Sequence, residues 1–334
     1  MFKSESVNLC DDLANWMTNL PELIKKVPIK NLAIPGSHDS FTSSIKSSSP
    51  ISPDAGELLQ RMNCMGPMFR SVIRRWVRTQ EFNALTQLQV GIRYFDLRIS
   101  TKEGTHQLYF VHGLYSDEID SVLRELIQFL DNHPKELVIL DCQHFYEFTL
   151  ADHRRLISYI KGRFNSKLVP VSSSMDFLTL EYTQKHDYQV IIIYRCNEIG
   201  NDKLLWPGWN FPNPWPETTN KSELIKFLDD ELKRRNNFTA LITQFLLTPT
   251  PGSILKRFYS SLKSSCVDPI DQMKYRWLLE QSPKEKLNIV IADFIDMNNS
   301  KFPKCVISLN KVYLIGRYPI SLKQSVEELT TIEL

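Results

Sequence analysis

The chain has 334 residues, of which 42% are hydrophobic and 23% charged, and these ordinary globular fractions exclude global disorder. Its 11 glycines and 18 prolines are too few for a fibrous or low-complexity protein. Lysine and arginine number 40 against 38 aspartates and glutamates, so the chain lacks the clear basic excess of a dedicated nucleic-acid binder.

Short β-rich runs alternate with longer helical stretches along the chain. Several of the runs are continuous in Val, Ile and Leu, which is typical of parallel strands buried on both faces. The predicted strands are Lys30–Ile34, Ile92–Ile99, Leu108–His112, Leu137–Cys142, Gln189–Arg195, Ala240–Leu247, Leu287–Phe294 and Val306–Leu314. Apolar residues at helical spacing predict amphipathic helices at Ser121–Asn132 and Asn220–Arg235.

This order of elements predicts an α/β fold, an irregular (β/α)8 TIM-type barrel in a single domain. An open doubly wound sheet is the alternative, but no GxGxxG turn follows the first strand. We expect the barrel to span residues 25–320, between an N-terminal segment 1–24 and a C-terminal tail 321–334.

Residues 41–81 separate the first two strands by more than one helix requires, and we expect them to form an insertion over the barrel mouth. The insertion ends in MFRSVIRRWVR (Met68–Arg78), which has an apolar and a basic face. That pattern fits a helix at a membrane surface or, as we favour, a helix that covers the barrel wall. Trp206, Trp209 and Trp215, in a Pro-rich loop after the fifth strand, either enter a bilayer interface or, as we favour, fill the gap over the barrel rim.

The six cysteines include no CxxC pair, and two of them lie in apolar strand-like runs. This usage favours a reduced, cytoplasmic protein. The N-terminus has acidic residues where a signal peptide needs an apolar region, and no apolar run approaches the ~20 residues of a membrane-spanning helix. We therefore expect a soluble monomer that makes only peripheral contact with membranes.

Polar residues cluster at the carboxyl ends of the predicted strands, where barrel enzymes place their active sites. In strand order they are His38 and Asp39, Asp96 and Arg98, His112, Asp141 with Gln143 and His144, Arg195, Gln244, and Asp293. Alternation along the fourth strand places His144 one residue out of phase, so we expect it to point away from the pocket.

Two histidines and an arginine without a Ser or Cys nucleophile indicate phosphodiester cleavage. One imidazole takes a proton from the attacking hydroxyl, and the other donates a proton to the leaving alkoxide. The guanidinium neutralises the charge that grows on the phosphoryl oxygens.

Four motifs resemble the X-box catalytic domain of phosphoinositide-specific phospholipase C. They are IPGSHDS (Ile34–Ser40), GIRYFDLRIS (Gly91–Ser100), FVHG (Phe110–Gly113) and LVILDCQHF (Leu137–Phe145). Two later segments, LLWPGWNFPNPWP (Leu204–Pro216) and NIVIADFI (Asn288–Ile295), are similar to the stand-alone PI-PLC X domain-containing proteins of animals. The resemblance covers nearly the whole chain.

The resemblance implies a role for each matching residue. His38 matches the general base that acts on the inositol 2-hydroxyl, and His112 matches the general acid that acts on the diacylglycerol oxygen. Arg98 matches the arginine that metal-independent bacterial enzymes use against the phosphate, and Asp39 follows the same bacterial pattern. Asp293 resembles the late aspartate that holds the base, with Asp296 as a competitor.

Asp96, Arg195 and Gln143 are expected to bind the substrate. Two of them have plain structural alternatives: Asp96 as an ion-pair partner of Arg93 or Arg98, and Arg195 in an ion pair of its own. Buried charges are usually paired, which keeps these alternatives open.

Arg98 and Gln143 stand where calcium-dependent relatives carry acidic residues, so we expect no metal or other cofactor. Asp39, Asp96 and Asp141 still leave room for weak Ca²⁺ dependence. The predicted activity is a phosphoric diester hydrolase that cleaves phosphatidylinositol to diacylglycerol and inositol (cyclic) phosphate. The alternatives are a catalytically weak phosphoinositide-headgroup binding or scaffold protein and a metal-dependent glycerophosphodiesterase.

Overall fold

The computed structural model describes residues 12–56, 66–281 and 287–311, which build one curled sheet surrounded by helices. The strands are β1 Ile34–Ser37, β2 Tyr94–Thr101, β3 Leu108–His112, β4 Leu114–Glu118, β5 Val138–Tyr146, β6 Val190–Tyr194, β7 Leu205–Trp206, β8 Ile242–Gln244 and β9 Ile289–Ala292. The parallel strands follow the order β7-β6-β5-β2-β1-β9-β8. The antiparallel strands β3 and β4 extend from β2.

The two outer parallel strands are joined through the segment that follows β7. The carbonyls of Asn210 and Pro212 accept hydrogen bonds of 2.9 Å from the N–H groups of Ala240 and Ile242, at the start of β8. The sheet therefore curls back on itself, and the expected irregular α/β barrel is confirmed.

The helices lie mainly between successive strands. They are α1 Glu22–Lys25, α2 Gly66–Val77, α3 Ala84–Gln89, α4 Ile119–Asn132, α5 Leu150–Phe164, α6 Leu180–Lys185, α7 Lys221–Lys233, α8 Pro251–Lys256, α9 Asp271–Glu280 and α10 Met297–Ser308. Both predicted amphipathic helices are present as α4 and α7, and the Asn220 side chain caps α7. No helix in these ranges combines the length and apolar content needed to cross a membrane.

The predicted eighth strand, Val306–Leu314, is wrong where the structure describes it. Residues 306–308 end α10, and Leu309–Lys311 form a 3-10 turn, while residues 312–314 lie outside the described part. Phe302 and Val306 are both buried, four residues apart on one face of α10. A short apolar run does not by itself distinguish a strand from a buried helix end. Sequence analysis also missed β4 and β7.

Alternation along the parallel strands divides the core into two layers. One side chain set faces the barrel interior, including Ile34, Ile139, Ile191, Ile242 and Ile289. The intervening residues pack outward against the helices. Gly36 lies where a Cβ atom would come within 2.8 Å of the side chains of Tyr94 and Ile291, so the interior has no room for a larger residue there. The same alternation carries polar residues at the strand ends into the barrel.

The base of the barrel is closed by a fully buried ion pair between Arg93 and Glu136. The Arg93 Nη2 and Nε atoms lie 2.8 and 3.0 Å from Glu136 Oε2. Glu136 Oε1 accepts a 2.8 Å hydrogen bond from the Thr18 N–H, and Arg93 donates to the Ala14 carbonyl at 2.7 Å. The described part of the expected N-terminal segment is thereby bonded to the barrel, and its Trp16 is buried in the inner core.

Replacement of Glu136 with alanine is expected to lower the free energy of unfolding by about 3–5 kcal/mol, because it leaves the Arg93 charge buried without a partner. Urea denaturation measures this loss. Asp131→Ala is the matched control, since Asp131 is exposed and pairs with Lys167 at the surface. That variant should lose about 1 kcal/mol or less. Equal losses in the two variants would contradict a structural role for the buried pair.

Candidate active site

His38 and Asp293 form a hydrogen-bonded pair at the carboxyl ends of the adjacent strands β1 and β9. The His38 Nδ1 and Asp293 Oδ1 atoms are 2.7 Å apart. This bond assigns the proton of a neutral His38 ring to Nδ1 and leaves Nε2 facing the barrel interior as a proton acceptor. Asp293, rather than Asp296, is thus the late aspartate that reaches His38.

The buried carboxylate of Asp39 lies at the centre of the site. Its Oδ1 atom is 2.5 Å from Arg98 Nε, and its Oδ2 atom is 3.1 Å from His112 Nε2 and 3.3 Å from His38 Nε2. Although burial raises the pKa of Asp39, Arg98 and the two histidines outweigh that effect and lower it to about 2. Asp39 is therefore ionised at neutral pH, and Arg98 and both histidines lie around its carboxylate.

His112 reaches the same cluster from β3, the antiparallel strand. Its Nδ1 atom lies 2.6 Å from the carbonyl oxygen of Val77, the last residue of α2. Because a carbonyl only accepts, Nδ1 carries a proton and Nε2 points at Asp39. The His38 and His112 ring centroids are 6.4 Å apart, so the two imidazoles flank one small space.

The His38 ring carries a raised pKa. Burial by itself lowers the pKa, but the negative charges of Asp39 and Asp293 overcome it and raise the value to about 9. In Asp96, by contrast, burial is the stronger effect. Together with the nearby Asp39 it outweighs the positive charges around the site and raises the pKa of Asp96 to about 6. Asp96 Oδ2 accepts a 3.3 Å hydrogen bond from the Asp39 N–H. Asp96 therefore supports the turn that carries Asp39, and Arg93, its suggested partner, pairs with Glu136 instead.

Arg195 and Gln143 belong to a second polar group, on β5 and at the end of β6. Arg195 makes two hydrogen bonds of 2.8 Å to the buried Asp141 and also donates to the carbonyls of Gly208 and Phe211. The Tyr94 hydroxyl donates to Asp141 at 2.7 Å, and Gln143 Nε2 lies 3.4 Å from that hydroxyl. Arg195 thus forms the ion pair foreseen as its alternative role, and its substrate contact stays a prediction.

The expectation that His144 points away from the pocket is wrong, because β5 has an irregularity at Gln143. The register pairs Leu97 with Cys142 but Arg98 with His144, so one extra residue shifts the alternation. His144 therefore lies beside Arg98, and burial together with that positive charge lowers its pKa. Tyr146 follows on the same face, near Arg98 and Asp39. Nothing in the sequence marked this bulge.

The donor atoms near Asp39 do not suit a calcium ion. His38, Asp39 and Asp96 each offer one ligand atom within 4.8 Å of the others. Ca²⁺ prefers six to eight oxygen ligands, whereas this group supplies two carboxylates and a nitrogen. One of those carboxylates is already paired with the Arg98 guanidinium, a fixed positive charge in the same place.

The fold and the site together define an α/β-barrel enzyme with a His–Asp–Arg–His acid–base cluster at the strand ends. PI-PLC X domain-containing protein 3 of Homo sapiens is 38% identical over 306 residues, which are 90% of this chain and 94% of the relative. PI-PLC X domain-containing protein 2 of Mus musculus is 36% identical, over 89% of this chain and 87% of the relative. The chain belongs to the family of PI-PLC X domain-containing proteins. No family model matches it.

Solved bacterial structures share the barrel. The phosphatidylinositol-specific phospholipase C of Staphylococcus aureus superposes with a TM-score of 0.65 at 16% identity, covering 90% of this chain and 99% of that one. The enzyme of Listeria monocytogenes gives a TM-score of 0.64, also at 16% identity and with the same coverage. This likeness establishes the fold over nearly the full length of the bacterial chains.

The pKa of His38 is expected to be about 9 and to fall toward the usual value of about 6.5 in the Asp293→Asn variant, because one of its two main negative neighbours is lost. Titration of the imidazole signals by NMR measures both values. His153, whose pKa burial lowers and which lies outside the barrel, is the internal control and should not move. A His38 pKa unchanged by Asp293→Asn would contradict the pairing described above.

Proposed function

We propose that the protein cleaves phosphatidylinositol between diacylglycerol and phosphate. The observation that carries this proposal is the space between His38 and His112, whose inward Nε2 atoms both face Asp39 beside Arg98. A phosphodiester that enters this space meets a base, an acid and a fixed cation. Membership of the PI-PLC X domain-containing family and the barrel shared with bacterial enzymes support the choice of substrate.

In the proposed first step, His38 Nε2 removes the proton of the inositol 2-hydroxyl, and the oxygen attacks phosphorus. His112 gives a proton to the diacylglycerol oxygen as its bond to phosphorus breaks, which leaves inositol 1,2-cyclic phosphate. Asp293 stabilises the charged His38 ring, as the aspartate of a catalytic triad does. Water can then open the cyclic phosphate to inositol 1-phosphate with the two histidines in exchanged roles.

Two charge effects govern this step. Because His38 acts in its neutral form and its pKa is raised to about 9, the fraction of His38 able to accept a proton should increase with pH between about 6.5 and 9. Arg98 supplies the positive charge against the phosphoryl oxygens, and we propose that no resident metal is required. Asp39 holds Arg98 and His112 in position for their roles.

Purified protein is expected to release diacylglycerol from phosphatidylinositol vesicles in excess EDTA, at a rate that added Ca²⁺ does not raise. His38→Ala and His112→Ala should each lower this rate by about 10²–10⁴-fold, the usual contribution of a general acid or base. His186→Ala, at an exposed histidine near the opposite end of the barrel, is the matched control and should keep the wild-type rate.

Each other result of this assay has a distinct meaning. Release only with Ca²⁺ would keep the reaction and overturn the role given to Arg98. Chelator-sensitive hydrolysis of glycerophosphodiesters would favour the metal-dependent alternative. Vesicle binding that survives His38→Ala, with no diacylglycerol from the wild type, would favour a lipid-headgroup binding protein.

We also propose that the barrel rim contacts the membrane through exposed apolar side chains. Leu255, Phe258 and Tyr259, in and after α8, are 75%, 57% and 70% exposed, and Met68 on α2 is 86% exposed. Arg75 of α2 donates hydrogen bonds to the carbonyls of Phe258 and Tyr259, which joins the two segments. Both segments lie at the strand ends that carry the site, so this contact would direct the pocket toward lipid headgroups.

The rest of α2 covers the barrel wall, the alternative favoured from its sequence. Ile73 packs with Ile45 and Leu114 in a small cluster of its own, and Trp76 is buried in the outer core.

A cytoplasmic location and a monomeric state stay predictions, as does the absence of a nucleic-acid partner.

The double variant Phe258→Ser/Tyr259→Ser is expected to weaken binding to phosphatidylinositol-containing vesicles by at least about tenfold, since each aromatic side chain gains roughly 1.5–3 kcal/mol on leaving water. Vesicle sedimentation measures binding. Phe238→Ser is the matched control, because Phe238 is 75% exposed but lies near Lys30 at the other end of the barrel. Equal weakening in both variants would contradict a docking surface at the rim.

A further inference from the structure

Gln80 is a fully buried residue between α2 and α3 whose side chain joins the ends of β1 and β9. Its Nε2 atom donates to the carbonyls of His38 and Ala292, at 2.9 and 3.0 Å. Its Oε1 atom accepts a 3.3 Å hydrogen bond from the Ile295 N–H. One amide therefore bonds to the backbone of His38 and to the backbone on both sides of Asp293.

The backbone at these strand ends is strained in two places. Asp39 and Phe294 adopt positive φ angles of 40° and 48°, which non-glycine residues rarely do, and each directly follows a member of the His38–Asp293 pair. Thr79 holds both turns. Its hydroxyl donates to the Asp39 carbonyl at 2.9 Å, and its own carbonyl accepts from the Phe294 N–H at 2.7 Å. Strained turns persist only where their surroundings hold them in place.

We propose that Gln80 is a positioning residue, which sets the spacing and orientation of His38 and Asp293 by clamping the backbone of both strand ends. The inference rests on the proposed function for its effect on catalysis. The Gln80 side chain does not line the space between the histidines, because its amide is hydrogen-bonded to backbone groups. It acts through the 2.7 Å contact between His38 Nδ1 and Asp293 Oδ1, which depends on the relative placement of β1 and β9.

A buried glutamine can also stabilise the fold without any effect on the active site. Gln189 provides a matched control for that purely structural role. Gln189 is nearly as buried, and its Nε2 donates to the carbonyls of Leu130 and His133 at 3.0 Å. It lies just before β6, at the base of the barrel and away from the histidines. Loss of its amide should affect stability without affecting the site.

The test compares Gln80→Met with Gln189→Met, since methionine keeps the length of the side chain and removes its hydrogen bonds. In Gln80→Met we expect kcat to fall by about 10- to 100-fold with KM changed less than twofold, the effect of a small misplacement of a catalytic group. The His38 pKa, measured by NMR, should fall from about 9 as Asp293 moves away. Gln189→Met should leave kcat and the His38 pKa unchanged.

The NMR titration reports on His38 without any need for turnover, so it tests the positioning role even if the proposed function fails. The charged or titratable groups that face His38 are Asp39, Asp96 and Asp293, with His112 across the space. Gln80→Leu is the second variant if Gln80→Met does not fold, because it removes the same hydrogen bonds and adds no charge near His38. A stable Gln80 variant with wild-type kcat and His38 pKa would overturn the proposal.

Discussion

The arrangement of the site depends on one buried negative charge, the carboxylate of Asp39. Removing an isolated carboxylate from water costs so much free energy that a buried carboxylate needs close positive partners. Arg98 contacts one oxygen, and both histidines contact the other. The same charge acts with Asp293 to raise the pKa of His38, and it adds to the burial that raises the pKa of Asp96. Without Asp39, three groups that can each carry positive charge would face one another around an empty space.

The barrel supplies these partners from neighbouring strands. His38, Arg98 and Asp293 come from or directly follow β1, β2 and β9, which are adjacent in the sheet, and His112 comes from the antiparallel strand beside β2. Parallel strands end at the same edge, so short polar extensions of each strand meet without long loops. The long segment between β1 and β2 is part of this construction, because the Val77 carbonyl orients His112 and Gln80 bonds to the strand ends.

A second arginine–carboxylate pair, Arg195 with Asp141, repeats the same principle on the neighbouring strands β5 and β6. Both arginines of the pocket are thus compensated by buried aspartates, and their positions are set before any ligand enters. Because these charges are already in place, little free energy is spent on reorganising them when a charged group binds.

The sequence by itself determined the barrel class and the polar residues at its strand ends, because continuous apolar runs and the polar residues that end them are local patterns. His38, Arg98, Asp39, His112 and Asp293 were all predicted to meet, and they do. Other features arise only from contacts between distant residues. The bulge at Gln143 reverses the expected direction of His144, α10 replaces a predicted strand, and Gln80 bonds to carbonyls that carry no sequence signal. Strand register and backbone placement are decided by packing in three dimensions, and only the tertiary structure shows them.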